Sequence, residues 1–371
     1  MVTPRYGGAA GGLGRHVEEL VRHLVAAGHA VDVLTHGRGP MSASRRHPGD
    51  VTVRRFRSPI GGAEHALSAE LWAYLRRNGR RYDVVHGHGY RTLPALLAAR
   101  AELPPLALTP HLHRAGSTLM GRVVHPVYRR LGAPAIARAD VVICVSRVEA
   151  DLIAGLVPSA AARTQVVPDG VDVAAIRAAR PVDLRPLGRL IVAVGRPASG
   201  AERLISALPA LPDGFVLALA ADGPAAGALR AHAVDLAVGR RVRFLGRLDE
   251  ASHHRWLRTA DVVASMAEGT ISATALLEAR AAGAPVVASD VAVHREADEL
   301  AGGGIHLVSP QASPLALADV LAAVASGPAP ALGDAIPTWT TVAALTLGAY
   351  ARCLDAAAAD RPAPVLRWGV A

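Results

Sequence analysis

The chain alternates short apolar segments with stretches of helical spacing, and this alternation occurs in two successive series. One series ends near residue 167 and the other begins near residue 190. Apolar strands separated by helices are typical of parallel sheets whose two faces are both covered by helices. The pattern therefore predicts an α/β protein with two doubly wound parallel-sheet domains that face a central cleft, where a ligand would bind.

The first domain is predicted to span residues 1–180 and the second residues 187–338, with a Pro- and Arg-rich linker between them. A helix at about 340–360 is expected to pack back on the first domain. The predicted strands of the first domain are Met1–Thr3, Ala30–Thr35, Asp83–His86, Leu106–Thr109, Val141–Val145 and Thr164–Val167. Those of the second are Leu190–Val194, Phe215–Ala220, Val242–Leu245, Val262–Ser265, Pro285–Ala288 and Gly302–Ser309.

All 40 basic residues are arginine, so the chain contains no lysine. This excludes P-loop proteins, Schiff-base enzymes and short-chain dehydrogenases, because each class needs a lysine at its site. The two cysteines, Cys144 and Cys353, lie in apolar segments without metal-ligand spacing, which fits a reducing compartment. With neither an export signal nor an uncharged apolar run of about 18 residues, the chain is expected to be cytoplasmic.

Positive charge is concentrated in the first half of the chain. Residues 1–185 hold 25 Arg against 14 Asp plus Glu, a net charge of +11, whereas the remainder carries −2. Nucleic acid is not expected as a partner, because aromatic residues make up only 4% of the chain and are not interleaved with basic ones. A helix with apolar and aromatic residues within Leu71–Leu75, followed by arginines, suggests peripheral contact with an anionic membrane at its inner face; a solvated helix end is the alternative.

The segment Ser265–Asp290 has the features of half a nucleotide-sugar site. A short loop with Glu268 leads into small residues, and an alanine-rich helix with Glu278 follows. A helix start offers unpaired backbone N–H groups and a partial positive charge, which together hold phosphate. A carboxylate one or two turns further along can accept hydrogen bonds from the two hydroxyls of a ribose.

A glycine-rich turn lies near the start of the chain. Gly7–Gly14 reads GGAAGGLG and precedes a helix, so Gly11, Gly12 and Gly14 are candidates to bring backbone amides close to a phosphate. The same spacing matches the turn of short-chain dehydrogenases, which makes a nicotinamide-dependent oxidoreductase the remote alternative. The missing lysine, and the lack of a ribose-binding acid at the end of Ala30–Thr35, count against it.

Four histidines follow two predicted strands. His86 and His88 flank one strand end, and His111 and His113 follow the next strand. Histidines at these positions face the cleft and exchange protons near neutral pH, so His111 is favoured as a substrate contact. The acceptor-side candidates are His86, His88 and His113. We expect no metal here, because no third kind of ligand has suitable spacing.

Two further positions follow predicted strands of the second domain. Arg196 follows Leu190–Val194, where a guanidinium can hold a diphosphate with two hydrogen bonds; an ordinary surface arginine is the alternative. Gly246 ends the segment Phe244–Gly246, which either lines a base pocket or is a plain strand exit.

Ten segments in a fixed order carry a resemblance to a known family. They are TPRYGGAAGGLGRHV, YDVVHGHGY, TPHLH, ADVVICVS, VVPDGVD, AVGR, ADGP, VRFLG, ADVVASMAEG and LLEARAAGAPVVASD. Together they resemble the family 4 glycosyltransferases over nearly all of the chain. The resemblance implies a GT-B fold, a nucleotide-diphosphate-sugar donor, retention of configuration at the anomeric carbon, and no catalytic metal or other cofactor.

By this resemblance Glu278 is the second Glu of the family's Glu-x7-Glu motif and binds the donor ribose. The position of the first Glu, which would contact the transferred sugar, is occupied by Thr270, and Glu268 lies two residues earlier. Either the loop carries two extra residues and Glu268 takes this role, which we favour, or Thr270 replaces the acid. The phosphate-binding amides would be those of Ile271, Ser272, Ala273 and Thr274.

The predicted diphosphate contacts depart from the family in a second way. The family has an Arg and a Lys-Gly pair there, and here Arg196 is followed by Ser199-Gly200. Loss of one charge-assisted hydrogen bond, about 1.5–3 kcal/mol, would weaken donor binding or catalysis ~10- to 100-fold unless Arg203 or another arginine compensates. A non-catalytic relative that binds nucleotide sugar is therefore the alternative function.

The resemblance implies front-face displacement, in which the acceptor hydroxyl attacks on the side from which the diphosphate leaves. The catalytic candidates are His111, Glu268 and Arg196, and the amides near Gly11–Gly14 and Ile271 would stabilise the leaving charge. The predicted reaction moves a hexosyl-type sugar to a hydroxyl acceptor. Two acceptor classes stay open: a lipid-linked or cell-envelope glycan, and a secondary-metabolite core such as that of an antibiotic.

Overall fold

The computed structural model describes residues 1–7, 11–37, 42–45, 51–58, 68–90, 92–101, 105–112, 132–183, 188–195, 200–221, 223–328 and 335–359 of the 371-residue chain. Contacts divide the chain into two units. Unit 1 contains Met1–Pro168 and the C-terminal segment from Trp339, and unit 2 contains Asp169–Thr338. Parallel strands connected by helices build both units, so the predicted α/β class with two doubly wound domains is confirmed.

Unit 1 contains seven strands among its described residues, with helices between most of them. The helices are α1 (Gly11–Ala26), α2 (Ala69–Asn78), α3 (Leu93–Arg100), α4 (described over residues 132–138), α5 (Arg147–Leu156) and, from the C-terminal segment, α13 (Trp339–Ala359). The strands are β1 (Val31–Gly37), β2 (Ser42–Arg45), β3 (Val51–Arg57), β4 (Val85–His88), β5 (Leu106–Thr109), β6 (Val141–Cys144) and β7 (Thr164–Val166).

The strands of unit 1 form two groups that one residue connects. β1 pairs in parallel with β3, which pairs antiparallel with β2, and β4 to β7 form a parallel group in sequence order. Val2 makes parallel bridges to both Leu34 of β1 and Gly87 of β4. The predicted strand Met1–Thr3 is therefore reduced to a single bridging residue, and α1 follows it.

Alternate residues of the strands in unit 1 enter two different apolar clusters. Leu108 of β5 packs with Leu71 of α2 and Ile153 of α5, whereas Ala107 packs with Val17 of α1 and Val342 of α13. This alternation follows from the period of two in a strand. Both faces of the sheet are therefore buried, and α13 belongs to unit 1 because it packs on α1, β5 and β6.

Unit 2 contains a second series of strands and helices. Its strands are β8 (Arg189–Ala193), β9 (Phe215–Leu219), β10 (Val242–Phe244), β11 (Val262–Ser265), β12 (Val286–Ser289) and β13 (Ile305–Val308). Its helices are α6 (Val173–Ala178), α7 (Ala201–Ala207), α8 (Gly223–Asp235), α9 (Glu250–Thr259), α10 (Thr274–Ala281), α11 (Ala292–Leu300) and α12 (Pro314–Ser326).

The six strands of unit 2 are all parallel and follow the order β10-β9-β8-β11-β12-β13. This is the strand order of the doubly wound nucleotide-binding fold. α7, α8 and α12 contribute to the apolar cluster on one face, and α6, α9 and α10 contribute to the cluster on the other. Several helices have a side-chain N-cap. At the start of α9, for example, Asp249 accepts a hydrogen bond from the amide of Ser252 at 2.7 Å.

The boundary between the units differs from the predicted one. Residues 169–180 were predicted to belong to the first domain, but they lie in unit 2. Val171 pairs with Thr338, and α6 packs on α9 and α10. The Pro- and Arg-rich stretch therefore begins with a helix that is part of the second unit, not with a linker.

The helix suggested for membrane contact has its apolar residues in the core. Leu71 and Leu75 of α2 are fully buried, and Trp72 and Tyr74 pack against the same cluster. The guanidinium of Arg76 lies 5.9 Å from the ring of Trp72. This packing contradicts the prediction that these residues form a membrane-facing surface. Within the described residues, no helix combines the length and the apolar character needed to cross a bilayer.

Candidate functional site

The strand order of unit 2 indicates where a ligand would bind. β8 and β11 are neighbours in the middle of the sheet, and the chain continues from β8 to one side and from β11 to the other. In open parallel sheets, ligands bind outside the carboxyl ends of the strands at such a reversal. The loops that follow β8 and β11 are therefore the positions at which functional side chains are expected.

A glycine lets these two loops approach each other. Gly200 has a φ of +84°, and a Cβ at this position would lie 2.1 Å from the backbone oxygen of Met266, directly after β11. Only glycine tolerates this contact and this backbone conformation together. Gly200 is the glycine of the Ser199-Gly200 pair in the predicted diphosphate loop. Arg196, the predicted diphosphate contact, lies outside the described residues.

Arg203 extends from α7 toward the loops that follow β11 and β13. Its Nη2 donates to the backbone oxygens of Ser309 and Ala312 at 3.2 and 3.4 Å, and its Nη1 lies 4.0 Å from Oε1 of Glu268. The side chain of Glu268 is 56% exposed. The ion pair is therefore screened by water and adds little to stability, but it places a fixed positive charge beside Glu268.

The loop before α10 is closed by its own hydroxyl groups. Thr270 Oγ1 donates to the backbone oxygen of Ser272 at 2.6 Å and accepts from the Ser272 amide at 3.3 Å. Ile271, which lies between these two residues in the sequence, is buried. The hydroxyl of Thr270 is thus bonded inside the loop. Ala273 is the residue before α10 and supplies no side-chain cap to the helix start.

Asp169 binds the same loop, and the sequence analysis did not single it out. Its Oδ2 accepts from Ser272 Oγ at 2.7 Å and from Thr274 Oγ1 at 3.0 Å, and the two hydroxyl oxygens lie 2.7 Å apart. The carboxylate therefore fixes both hydroxyls at the start of α10. No local sequence pattern indicates this contact, because the two residues are 103 positions apart.

Glu278 lies in the second turn of α10 with its side chain only 5% exposed. Nε2 of His253, on α9, lies 3.1 Å from Glu278 Oε2. α9 packs directly on α10, which brings the imidazole to the carboxylate. The role of His253 is not predictable from the sequence, because the contact depends on how two helices pack and not on any motif.

Gly246 lies at the carboxyl end of β10, an edge strand of the sheet. Its φ is +68°, and a Cβ at this position would meet no other atom within 4 Å. The neighbouring Phe244, predicted as part of a base pocket, has the guanidinium of Arg230 at 4.1 Å from its ring centroid. Two strands separate Gly246 from β11, so the structure brings it to the same edge of the sheet as Glu268 but not into contact with it.

Three glycines predicted in a loop lie in the first turn of α1. Gly11, Gly12 and Gly14 are helical, because α1 begins at Gly11 and not after Gly14. The first four N–H groups of a helix have no partner inside it. The predicted glycine-rich loop is therefore the start of α1, and the amides proposed to face a phosphate are those of its first turn.

Histidines from three elements of unit 1 converge. His88 is the last residue of β4, His111 follows β5, and His16 lies on α1. The ring centroid of His16 is 5.6 Å from that of His88 and 4.9 Å from that of His111, and the His88 and His111 centroids are 5.8 Å apart. His16 was not among the predicted site residues; its position on α1 brings it to the ends of these strands. His113 lies outside the described residues.

His86 has a structural role in the interior of unit 1. Its Nδ1 is 2.7 Å from the hydroxyl oxygen of Tyr350 on α13, and its Nε2 is 2.8 Å from Thr109 Oγ1 on β5. Burial holds the pKa of His86 well below its usual range, and nearby positive groups lower it further. A neutral imidazole with both nitrogens bonded in the core does not face an acceptor, so this acceptor-side prediction is wrong.

His111 occupies an uncommon backbone conformation that a buried carboxylate holds. Its φ is +48°, a region that non-glycine residues rarely adopt. Glu149 Oε1 accepts from the amide of the next residue, Leu112, at 2.5 Å, and Glu149 Oε2 accepts from the amide of Val145 at 2.7 Å. Glu149 therefore connects the loops after β5 and β6 and fixes the direction of His111. The sequence analysis did not identify Glu149.

Two protein families match this chain. Residues 10–175 match Glycosyltransferase Family 4, and residues 188–326 match Glycosyl transferases group 1. One relative is a D-inositol 3-phosphate glycosyltransferase of Mycolicibacterium gilvum, which is 30% identical over 392 residues; the alignment covers 95% of this chain and 87% of that protein.

Two solved structures illustrate the fold that this chain shares. Sucrose-phosphate synthase from Thermosynechococcus elongatus aligns with a TM-score of 0.73 and 22% identity, over 96% of both chains. Anabaena HepE in complex with UDP-glucose aligns with a TM-score of 0.66 and 19% identity, over 93% of this chain and 98% of that one. The two parallel-sheet α/β units thus match the GT-B fold.

Proposed function

Because the chain belongs to the family 4 glycosyltransferases, we propose that it transfers a hexosyl-type sugar from a nucleotide-diphosphate sugar to a hydroxyl acceptor, with retention of configuration and without a catalytic metal. The observation that carries this proposal is the buried carboxylate of Glu278, oriented by His253, on the helix that follows the central strand β11. A carboxylate that is shielded from water and held in one orientation is suited to the paired hydroxyls of a ribose.

The start of α10 is the proposed diphosphate site. The amides of Ile271 to Thr274 lie at the N-terminus of the helix, where the helix dipole favours an anion. Asp169 holds the hydroxyls of Ser272 and Thr274. The amides of these two residues donate to Thr270 Oγ1 at 3.3 Å and to Ser272 Oγ at 3.4 Å, so the amides of Ile271 and Ala273 are the ones proposed to bind phosphate. Gly200 keeps the neighbouring loop close enough to take part.

We propose Glu268, and not Thr270, as the contact to the transferred sugar. The hydroxyl of Thr270 is bonded within its own loop, whereas the carboxylate of Glu268 is exposed to solvent and has Arg203 at 4.0 Å. Arg203 also supplies the positive charge that the Ser199-Gly200 pair lacks. His111, fixed by Glu149, and the first-turn amides of α1 are the proposed contributions of unit 1 to catalysis.

The donor is proposed to be a UDP-sugar, because the structurally similar HepE was solved with UDP-glucose. The acceptor is proposed to be a hydroxylated small molecule or a lipid-linked glycan, and the 30% identical relative is a glycosyltransferase of D-inositol 3-phosphate. The proposal does not include membrane contact through α2, whose apolar residues are in the core.

A thermal-shift panel of UDP-, GDP- and dTDP-sugars, followed by an assay for consumption of the stabilising donor, tests the proposal. A ligand that binds only the folded state raises the unfolding temperature by mass action. We expect UDP-sugars to raise it more than GDP- or dTDP-sugars do, and the stabilising UDP-sugar to be consumed equally with and without a chelator. Stabilisation without consumption across a wide acceptor panel would instead favour a non-catalytic nucleotide-sugar-binding relative, and no stabilisation by any nucleotide sugar would contradict the proposal.

A further inference from the structure

The histidine cluster of unit 1 has a property that the glycosyltransferase function does not require. One ring nitrogen each from His16, His88 and His111 can be chosen so that all three lie within 4.8 Å of one another. We propose that these three residues form a binding site for a divalent transition-metal ion, and that Zn²⁺ is the ion it fits best.

The spacing of the rings agrees with shared coordination. With a zinc–nitrogen distance of about 2.0–2.1 Å, imidazole centroids around a tetrahedral ion lie roughly 5 Å apart. The three observed centroid separations are 4.9, 5.6 and 5.8 Å. Nitrogens bound to one ion would be about 3.3 Å apart, whereas the three nitrogens lie within 4.8 Å of one another, so binding requires the rings to move closer together.

His88 is the residue that most needs a ligand. It is fully buried at the end of β4, and neither of its ring nitrogens has a hydrogen-bond partner among the residues that the structure describes. A buried polar group without a partner costs free energy. Coordination would satisfy one of these nitrogens. The neighbouring His86 is excluded as a ligand, because Tyr350 and Thr109 bond both of its nitrogens.

The other two ligands are held in place by surrounding structure. Glu149 bonds the amide that follows His111 and fixes the left-handed backbone at that residue. The ring of His16 packs edge-on against Trp339 of α13, with centroids 5.5 Å apart. Since three different elements supply the ligands, the site exists only in the folded unit, and metal binding is coupled to its folding.

The donor set decides the class of ion. Three neutral imidazoles suit zinc and its neighbours in the first transition row, whereas Mg²⁺ and Ca²⁺ prefer oxygen ligands. A three-histidine zinc site leaves a fourth coordination position open for water or another ligand. The site is thus distinct in chemistry from a divalent-cation site for a sugar diphosphate, which would be built from carboxylates.

Occupancy would also affect the transferase, a consequence that rests on the proposed function. His111 is both a proposed metal ligand and a proposed catalytic contact to the substrate, and its imidazole cannot serve both roles at once. Zn²⁺ is therefore expected to inhibit sugar transfer, and a chelator to restore it. Metal binding can be measured without turnover, so its result tests the zinc site independently of the glycosyltransferase proposal.

The test is a titration of the metal-stripped, full-length, untagged chain with Zn²⁺ in competition with a chromophoric chelator. The visible spectrum of bound Co²⁺ reports the coordination number. We expect one ion per chain for the wild type. His16→Gln and His111→Asn should each weaken binding by at least about 10- to 100-fold, the effect known for loss of outer-shell partners alone. His111→Asn keeps a residue that tolerates positive φ.

His29→Gln is the matched control, because His29 is exposed after α1 and lies outside the cluster. This variant should bind the ion as the wild type does. His88→Gln is added for completeness, and the proposal is tested by the other two variants if that buried change prevents folding. Sub-stoichiometric binding by the wild type, or equal affinity in His16→Gln, His111→Asn and His29→Gln, would overturn the proposal.

Discussion

At the scale of single residues, the candidate donor site depends on pairs of side chains that come from different elements. Glu278 is oriented by His253, and the two hydroxyls at the start of α10 are held by Asp169. A side chain that is already fixed loses less conformational entropy when a ligand binds. These supporting residues are therefore expected to affect affinity although they need not touch the donor.

Replacing His253 tests this idea directly. His253→Ala removes a hydrogen bond to a carboxylate, and such bonds contribute about 1.5–3 kcal/mol. The dissociation constant for the donor nucleotide should therefore rise ~10- to 100-fold, as measured by calorimetric titration. His253→Gln, which keeps a donor group, should recover part of the affinity. His306→Gln, at an exposed position of β13, is the control; an unchanged affinity in His253→Ala would show that the contact has no positioning role.

His294 predicts how the stability of unit 2 changes with pH. It is buried, its Nδ1 lies 2.8 Å from the backbone oxygen of Ser289, and burial lowers its pKa below the usual value of 6.5. The unfolded chain therefore takes up a proton at higher pH than the folded chain does. The stability that His294 contributes is complete above about pH 6.5 and is lost as the pH falls through the folded pKa, by up to about 1.4 kcal/mol per pH unit.

Chemical unfolding at pH 7.5 and pH 5.5 measures this loss. The difference in free energy of unfolding between the two pH values should be smaller in His294→Gln than in the wild type, because glutamine does not titrate. An equal difference in the two proteins would assign the acid sensitivity of unit 2 to other groups.

At the scale of elements, the carboxyl ends of β8 and β11 determine the geometry of the site. The loop after β8 can lie against Met266 only because Gly200 has no side chain. α10 then starts one short loop after β11, which places its amides and Glu278 at the same edge of the sheet. The strand order therefore determines that the candidate site lies at the carboxyl ends of β8 and β11, and Gly200 allows the loops after these two strands to approach each other there.

Gly200→Ala should destabilise unit 2 by at least about 1–3 kcal/mol, because it adds a Cβ against backbone and forces alanine to a φ of +84°. Gly227→Ala is a control of opposite sign. It lies within α8 with no atom within 4 Å of the added Cβ, so it should stabilise the protein by roughly 0.5–1 kcal/mol. Denaturant unfolding measures both; similar stabilities for the two variants would contradict the role assigned to Gly200.

The strands show which elements are predictable from sequence. β5 and β11 have the predicted bounds, because short apolar runs buried on both faces are distinctive. β3 was not predicted, because three arginines among its seven residues interrupt the apolar pattern, although Val51, Val53 and Phe56 are buried along it. The contacts of Glu278 with His253 and of Asp169 with Ser272 could not be predicted, because they join residues that only tertiary packing brings together.

At the scale of the whole molecule, the two units have different chain connectivity. Unit 2 is one continuous segment, Asp169–Thr338, whereas unit 1 needs α13 from the C-terminal segment to cover one face of its sheet. Sequence patterns identified two domains correctly because each has its own apolar core. The placement of residues 169–180 was wrong because α6 packs on helices that follow it much later in the chain.

This difference predicts that residues 169–338 fold when expressed alone. The isolated segment should show a cooperative thermal transition and should still be stabilised by the donor nucleotide, because Glu278 and the amides at the start of α10, the proposed ribose and diphosphate contacts, lie within it. Residues 1–168 alone should unfold more readily than unit 1 does in the intact protein, because the surface that α13 covers would be exposed to water. A folded segment 169–338 that no longer responds to the nucleotide would place part of the nucleotide site in unit 1.

The central claim is that the carboxylate of Glu278 binds the ribose of a sugar-nucleotide donor, and calorimetric titration of Glu278→Gln with that donor tests it most directly. Loss of hydrogen bonds to a charged group should raise the dissociation constant ~10- to 100-fold or more, while Glu299→Gln, at an exposed position of α11, should bind as the wild type does. If a folded Glu278→Gln protein binds the donor with wild-type affinity, the account of the site is wrong.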